Sequence, residues 1–272
     1  MIVNETINSM LTEEEYVYSP VLREYIEILS VEDEHGAHVA RDQFGMFHVD
    51  SKYNPLYVQR FDKVGCFNST ATTVAELNGE QFHINFQGEA LYSKRFWFAE
   101  PFEFGVAIVI QDGKYFLINM DAERVSIDFE KIDKFNSIGI AVAQYDGKQF
   151  HIDTNGNPIY DFRFDKVDRF NESGTAVATL NGKQFHINFF GKAIYQERFD
   201  KARPFVNGFA VVDVNGERFH IDFSGKAIYS KKFDYVSDFN PSNSKFPFFN
   251  AYAKKNEECF FINPQGEEFD IC

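Results

Sequence analysis

Cysteine, positive charge and long apolar runs are all scarce in this 272-residue chain, and each shortage speaks against a class of protein. The three cysteines, Cys66, Cys259 and Cys272, are odd in number and show no Cys-x-x-Cys spacing. That pattern suggests neither a disulfide framework nor a zinc site and fits a reducing compartment. Lysine and arginine number 27 against 41 aspartates and glutamates, a formal charge of −14. Tracking the phosphates of nucleic acid needs a positive surface, so no nucleic-acid partner is expected. The longest apolar run, Val106 to Ile110, is far too short to span a bilayer. The opening residues, MIVNETINSM, have neither the basic start nor the apolar core of a secretory signal. A soluble, cytoplasmic protein with no membrane partner is the expectation. A Gly-rich phosphate loop, a nucleophile elbow and a His-Glu-x-x-His pattern are also missing, and no spacing singles out a carboxylate pair. The chain therefore reads as a non-enzyme without cofactors.

What the chain has in abundance is phenylalanine, 33 copies, many at a fixed register. The aromatics Phe47, Phe82, Phe116, Phe150, Phe185, Phe219 and Phe260 follow one another at spacings of 35, 34, 34, 35, 34 and 41 residues. Such a period marks an array of repeats. In the clearest unit, Gly139 to Ser173, an apolar run is broken by Asp146-Gly147, resumes over Gln149 to Asp153, and is broken again at Asn155-Gly156. Two strands joined by Asp-Gly read as a hairpin. Ile159 to Phe164 alternates as a third strand with Tyr160, Phe162 and Phe164 on one face, and Lys166 to Phe170 fits either a short fourth strand or a single helical turn. A sheet this small cannot cover both its faces, so each unit must be stabilised by stacking on the next. Stacked phenylalanine layers with edge-to-face contacts are the expected core.

The expected fold is all-β, tandem repeats of about 34 residues closed into a seven-unit propeller-like ring, with an open superhelix of hairpins as the alternative. Residues 1–30 form an N-terminal segment and 31–272 the array. Met1 to Glu15 carries the spacing of a short helix or is a loose tail, and Tyr16 to Ser30 is either a helix or a degenerate third-strand copy that completes the truncated last unit, Asn250 to Cys272. Asn240 to Phe248 is an insertion beyond the period and reads as a surface loop.

The frame Gly139, Ala141, Gly147-Lys148, Ile152-Asp153, Gly156 and Phe164-Asp165-Lys166-Val167, closed by Phe170, resembles the WG (KWG) β-repeat proteins, a mainly bacterial family. The resemblance covers Ala37 to Cys272. Gln149-Phe150 and Gln184-Phe185 stand where the family's Trp-Gly is expected, which marks a divergent member. The family implies a β-repeat architecture and a role in interaction.

Two rows of chemistry-bearing residues run along the array. His48, His83, His151, His186 and His220 share one register position, each followed two residues on by Asp or Asn. Imidazole beside carboxylate suits a transition metal, but repetition in nearly every unit favours a structural hydrogen bond to a carboxylate or carbonyl. Arg60, Arg95, Arg163 and Arg198, with Lys232 at the same place, form the second row, and all but Arg95 are followed two residues on by an aspartate, Asp62, Asp165, Asp200 or Asp234, which predicts an ion pair or inter-unit ladder. A row that recognises acidic peptide or phosphate is the other reading.

Function is better sought where the repeat breaks its own rule. In the third unit Leu117 replaces the histidine, Asp128 replaces the arginine, and Trp97-Phe98 stands in place of Asp-Lys. With Phe102, Phe104 and Tyr115 this unit is unusually apolar, and Trp and Tyr are enriched at interface hot spots. Phe246 and Phe248 of the insertion are the second candidate group. The expected function is a non-enzymatic scaffold that binds a protein or peptide through one face, with a glycan-binding, lectin-like array as the alternative.

Overall fold

The structure, a computed structural model, describes residues 15–240 and 249–270. The helix or tail expected over Met1 to Glu15 falls outside them except at Glu15, and so does the insertion, with Phe246 and Phe248. Every regular element among the described residues is an antiparallel strand. The strands form seven sheets. Two compact units divide them, one reaching to Phe129 and including Thr154–Gly156, the other comprising Glu130–Asp153 and the chain from Asn157 onward.

Each sheet is built on a hairpin. Ala176–Leu180 pairs with Lys183–Ile187 around Asn181-Gly182, both with positive φ, 53° and 74°. That is the turn geometry whose twist matches the flanking strands, and it selects Asn-Gly and Asp-Gly at this position. Strict inside-outside alternation is not what the hairpins show. Near the turn both strands are exposed, whereas Ala176, Val177 and Ala178 and then Phe185, His186 and Ile187 are buried in succession. A hairpin inserted end-on is covered on both faces at its inner end, hence the unbroken apolar triplets. Small residues face large ones across the ladder, as in Ala143 opposite Phe150 and Ala178 opposite Phe185, leaving room for the rings.

Lys166 to Phe170 resolves as a two-residue strand, Lys166–Val167, that pairs forward with Thr179 and Ala178 of the following hairpin. Each sheet therefore begins in the preceding sequence repeat. The third strand expected at Ile159 to Phe164 is not regular. The chain touches the hairpin only through isolated bridges at Pro158 and Phe164 and bends away between them. The same pair of isolated bridges recurs at Ala193 and Phe199, in a repeat without the proline, and Tyr160 and Phe164 are turned inward while Phe162 is 49% exposed, so the three do not share a face.

Tyr16 to Ser30 is a hairpin, Glu15–Ser19 with Glu24–Ile28, whose second strand joins Ala37–Asp42 of the first sheet. The last sheet carries its own fourth strand, Glu268–Asp270. These pairings leave the two chain ends in different sheets, unlike the shared last unit expected from the sequence.

Neighbouring sheets meet through aromatic rings. Phe164 meets Phe185 edge-to-face at 6.1 Å, Phe199 meets Phe219 at 6.3 Å, and Phe61 meets Phe82 at 6.1 Å. A second contact seats the glycine of one sheet on the tyrosine of the one before. A Cβ added to Gly191 would lie 2.7 Å from the Tyr160 ring, and one on Gly225 2.5 Å from Tyr195. Gly191→Ala should therefore destabilise the fold by about 2–4 kcal/mol, from left-handed backbone strain plus overpacking. Gly182→Ala, with nothing within 4 Å of its Cβ, should pay the backbone cost alone. Thermal melts compare the two, and equal losses would show that the tyrosine contact does not matter.

Candidate functional site

The five histidines of the row are fully buried, none more than 1% exposed. In each, Nε2 lies on a backbone carbonyl seventeen residues on: Gly65 at 2.9 Å, Glu100 at 2.9 Å, Asp168 at 3.1 Å, Arg203 at 2.8 Å and Ser237 at 2.9 Å. A carbonyl only accepts, so Nε2 carries the proton and Nδ1 accepts from the hydroxyl of a tyrosine nine residues on, Tyr57, Tyr92, Tyr160, Tyr195 or Tyr229. A phenylalanine covers each ring, with centroids 4.0 Å apart for His48 and Phe67 and 4.1 Å for His151 and Phe170. Burial lowers each imidazole from its ordinary 6.5 to about 4, with the carbonyl bond opposing. It raises the tyrosines, Tyr92 to about 12. Both ring nitrogens are thus engaged inside the protein. Among the described residues, no three His, Cys, Asp or Glu side chains are placed to hold a metal.

The arginines do not pair with the aspartates two residues on; Arg60 pairs instead with Asp42, Nε to Oδ2 at 2.7 Å. Each lays its guanidinium on the phenylalanine before its histidine: Arg60 on Phe47 at 3.6 Å, Arg95 on Phe82 at 3.7 Å, Arg163 on Phe150 at 3.8 Å and Arg198 on Phe185 at 3.9 Å. Nη1 donates to the carbonyl of the tyrosine three residues earlier, 3.1 Å for Arg95 on Tyr92 and for Arg163 on Tyr160. The aspartates two residues on turn elsewhere, because the bend between Pro158 and Phe164 removes the strand geometry that would align them. Asp165 accepts from the Asn181 amide at 2.7 Å and from Lys148 at 2.6 Å; Asp200 accepts from the Asn215 amide at 2.7 Å. They hold the next hairpin's turn.

The match to known sequences follows this frame. The sequence model of the WG containing repeat matches residues 152–183 and 187–217. Those two stretches are WG-type repeats. No curated protein matches it. Among solved structures it is similar to a eukaryotic initiation factor, at 10% identity over 86% of this chain and 72% of that one, with a TM-score of 0.43. It is also similar to Hsv2 of Kluyveromyces lactis, at 8% identity over 85% and 87%, with a TM-score of 0.37.

The third repeat replaces its whole internal set. Leu117 stands for the histidine and Ser126 for its tyrosine, and the Ser126 hydroxyl accepts the Leu117 amide at 2.8 Å. The arginine position holds Asp128, which pairs with Arg124, and Arg124 reaches the Phe116 ring at 3.9 Å from a different place in the chain. No single-position comparison finds this exchange, since the cation has moved along the sequence. The partner-binding candidates separate. Phe102 is core, stacked on His83 at 4.1 Å, and Tyr115 is half-buried. Trp97, Phe98 and Phe104 are exposed by 69%, 38% and 55%. Phe104 also holds a positive φ of 53°, in a two-residue turn with Gly105, where the sixth unit uses Asn207-Gly208. Left-handed backbone at a bulky residue costs about 1–2 kcal/mol.

A histidine whose folded pKa lies below its unfolded value binds fewer protons folded than unfolded between those two values. Its contribution is complete above about pH 6.5 and is lost as pH falls toward 4. At pH 5 each histidine removes on the order of 2 kcal/mol. Melting temperature should therefore fall steeply from pH 6.5 to 5, before lowered carboxylates such as Asp165 and Asp200 protonate. The double change His186→Leu with Tyr195→Ser, copying the third repeat, should cut that slope by about a fifth. An unchanged slope in melts followed by circular dichroism would place its origin elsewhere.

Proposed function

We propose that this protein is a non-enzymatic scaffold that captures a protein or peptide through the Trp97-Phe98 edge of its third repeat. One observation carries the reading: the chain's single tryptophan and the phenylalanine after it face solvent where the fifth and sixth repeats carry Asp165-Lys166 and Asp200-Lys201. Core demands do not explain an exposed pair. Tryptophan is among the residues most enriched at interface hot spots, where a partner desolvates it. Phe104, kept exposed at a backbone cost, supports the same reading. A lectin-like array would repeat its aromatic pocket from unit to unit, and the Trp97-Phe98 pair occurs once. Quantitative pull-down against Trp97→Ala is the test. Proteins captured by the native chain should be depleted at least tenfold by the substitution while the melting temperature stays within about 2 °C, since exposed changes are worth little stability. Undiminished capture would remove this edge from consideration.

The same reading takes the seven sheets as a closed seven-unit ring that presents the edge on a rigid body, although the chain ends pair in different sheets. For a compact 272-residue body the radius of gyration should be about 18–19 Å. Solution X-ray scattering reads it directly, and a clearly larger, elongated profile would mean an open superhelix.

A further inference from the structure

The sixth repeat departs from its sisters at three positions that converge on one cavity. Across the sheet, a lysine, a middle residue and a polar residue stand side by side: Lys63, Glu76 and Gln81; Lys131, Gln144 and Gln149; Lys166, Thr179 and Gln184. Here the trio is Lys201, Asp213 and Arg218. The carbonyl that receives the histidine proton belongs to Gly65, Glu100, Asp168 or Ser237 in other repeats, and to Arg203 in this one. Arg203 is the only cation at that position. Lys201, Arg203, Arg218 and Asp213 line a cavity of about 340 Å³, completed by Gln184, Ala202, Val211 and Val212.

The substitution at Arg218 gives up a structural bond. In the sister repeats the glutamine carbonyl accepts the amide of the next short strand, Ala99 at 2.9 Å from Gln81 and Val167 at 3.0 Å from Gln149. An arginine has no acceptor. Arg218 instead contacts Asp213 at 3.3 Å and the Tyr235 ring at 5.6 Å. Arg203 has only a 3.9 Å approach to Asp238, one of whose carboxylate oxygens is buried with no hydrogen-bond partner among the described residues. Lys201 makes no ion pair among them. The backbone beneath is held firmly, by Gln184 on the Ala202 amide at 2.8 Å and His186 on the Arg203 carbonyl at 2.8 Å.

The geometry points to a carboxylate-binding pocket in the sixth repeat, with Arg203 and Arg218 as the recognising forks and Lys201 as a third cation. Three cations against Asp213 and Asp238 leave a formal +1 at the site, which matches one carboxylate better than a doubly charged phosphate in a chain of net −14. The volume lies at the small end of the range of ligand pockets. The carboxylate belongs either to a free organic acid or to a peptide's acidic side chain. The site is independent of the Trp97 edge.

The test is an NMR titration of the full chain with butyrate, with butyramide as the uncharged match. Butyrate should shift the Ala202 and Val212 amides and the Arg218 Nε–H, and butyramide should not. Arg218→Gln and Arg203→Ser, which restore residues used in sister repeats, should each weaken butyrate at least tenfold, and Trp97→Ala should leave it unchanged. A blocked peptide with one glutamate that binds at least tenfold tighter than butyrate assigns the carboxylate to a polypeptide; equal or weaker binding assigns it to a free acid. Indistinguishable responses to butyrate and butyramide, or unaltered binding in folded variants, would overturn the pocket.

Discussion

A neutral imidazole sealed inside each of five repeats is the constraint from which the architecture follows. One ring joins the second hairpin strand, where it sits, to the tyrosine nine residues on and to the backbone just past the next short strand. Three segments that share little regular hydrogen bonding are thereby fixed at one point. This explains how the irregular stretch after the hairpin holds its shape with only isolated bridges. A buried polar ring is costly unless every polar atom is matched, and here both nitrogens are matched and a phenylalanine covers the face. The third repeat shows that the solution is a set: with leucine in place of histidine, the tyrosine becomes a serine that bonds the backbone.

Around that point the aromatic residues divide the work. Some stack on the histidines, some meet the next sheet edge-to-face, and the tyrosines receive the following sheet's glycine. Arginines cover the phenylalanines, Arg163 with a ring face and nearby carbonyls in place of an ion pair and Arg60 with an ion pair to Asp42 as well. The aspartates are thereby released to hold the next turn. Each side chain of the repeated frame has a partner in a different segment, which is why the frame persists while the intervening residues vary between repeats.

Much of this was legible in the residues themselves. The period follows from Phe47 through Phe260, the hairpins from Asp146-Gly147 and its equivalents, and the family from the glycines, alanines and Phe-Asp-x-Val frame that the WG containing repeat model also matches. Ile159 to Phe164 misled because its alternation is real in sequence, while the chain bends between two isolated bridges and turns Tyr160 and Phe164 inward, as it does around Ala193 and Phe199 in the next repeat. Arginine and aspartate two apart misled for the same reason, since that rule holds only on a continuous strand. Arg124 was hidden by a shift in position. Arg203 and Arg218 did carry a signal, a cation where the compared sister repeats have a neutral or acidic residue, but it shows only once the registers of the sheets are laid side by side.

Because Lys166–Val167 belongs to one copy of the sequence motif and pairs within the sheet of the next, the unit that duplicates and the unit that folds are out of phase. A gene that gains or loses one motif at Gly139 or Gly174 still delivers a short strand to whichever hairpin follows, so the join heals wherever the cut falls. Growth by whole periods is thereby mechanically forgiving, whereas the identity of a sheet always depends on two ancestral copies. Divergence in one copy is felt first by its downstream neighbour.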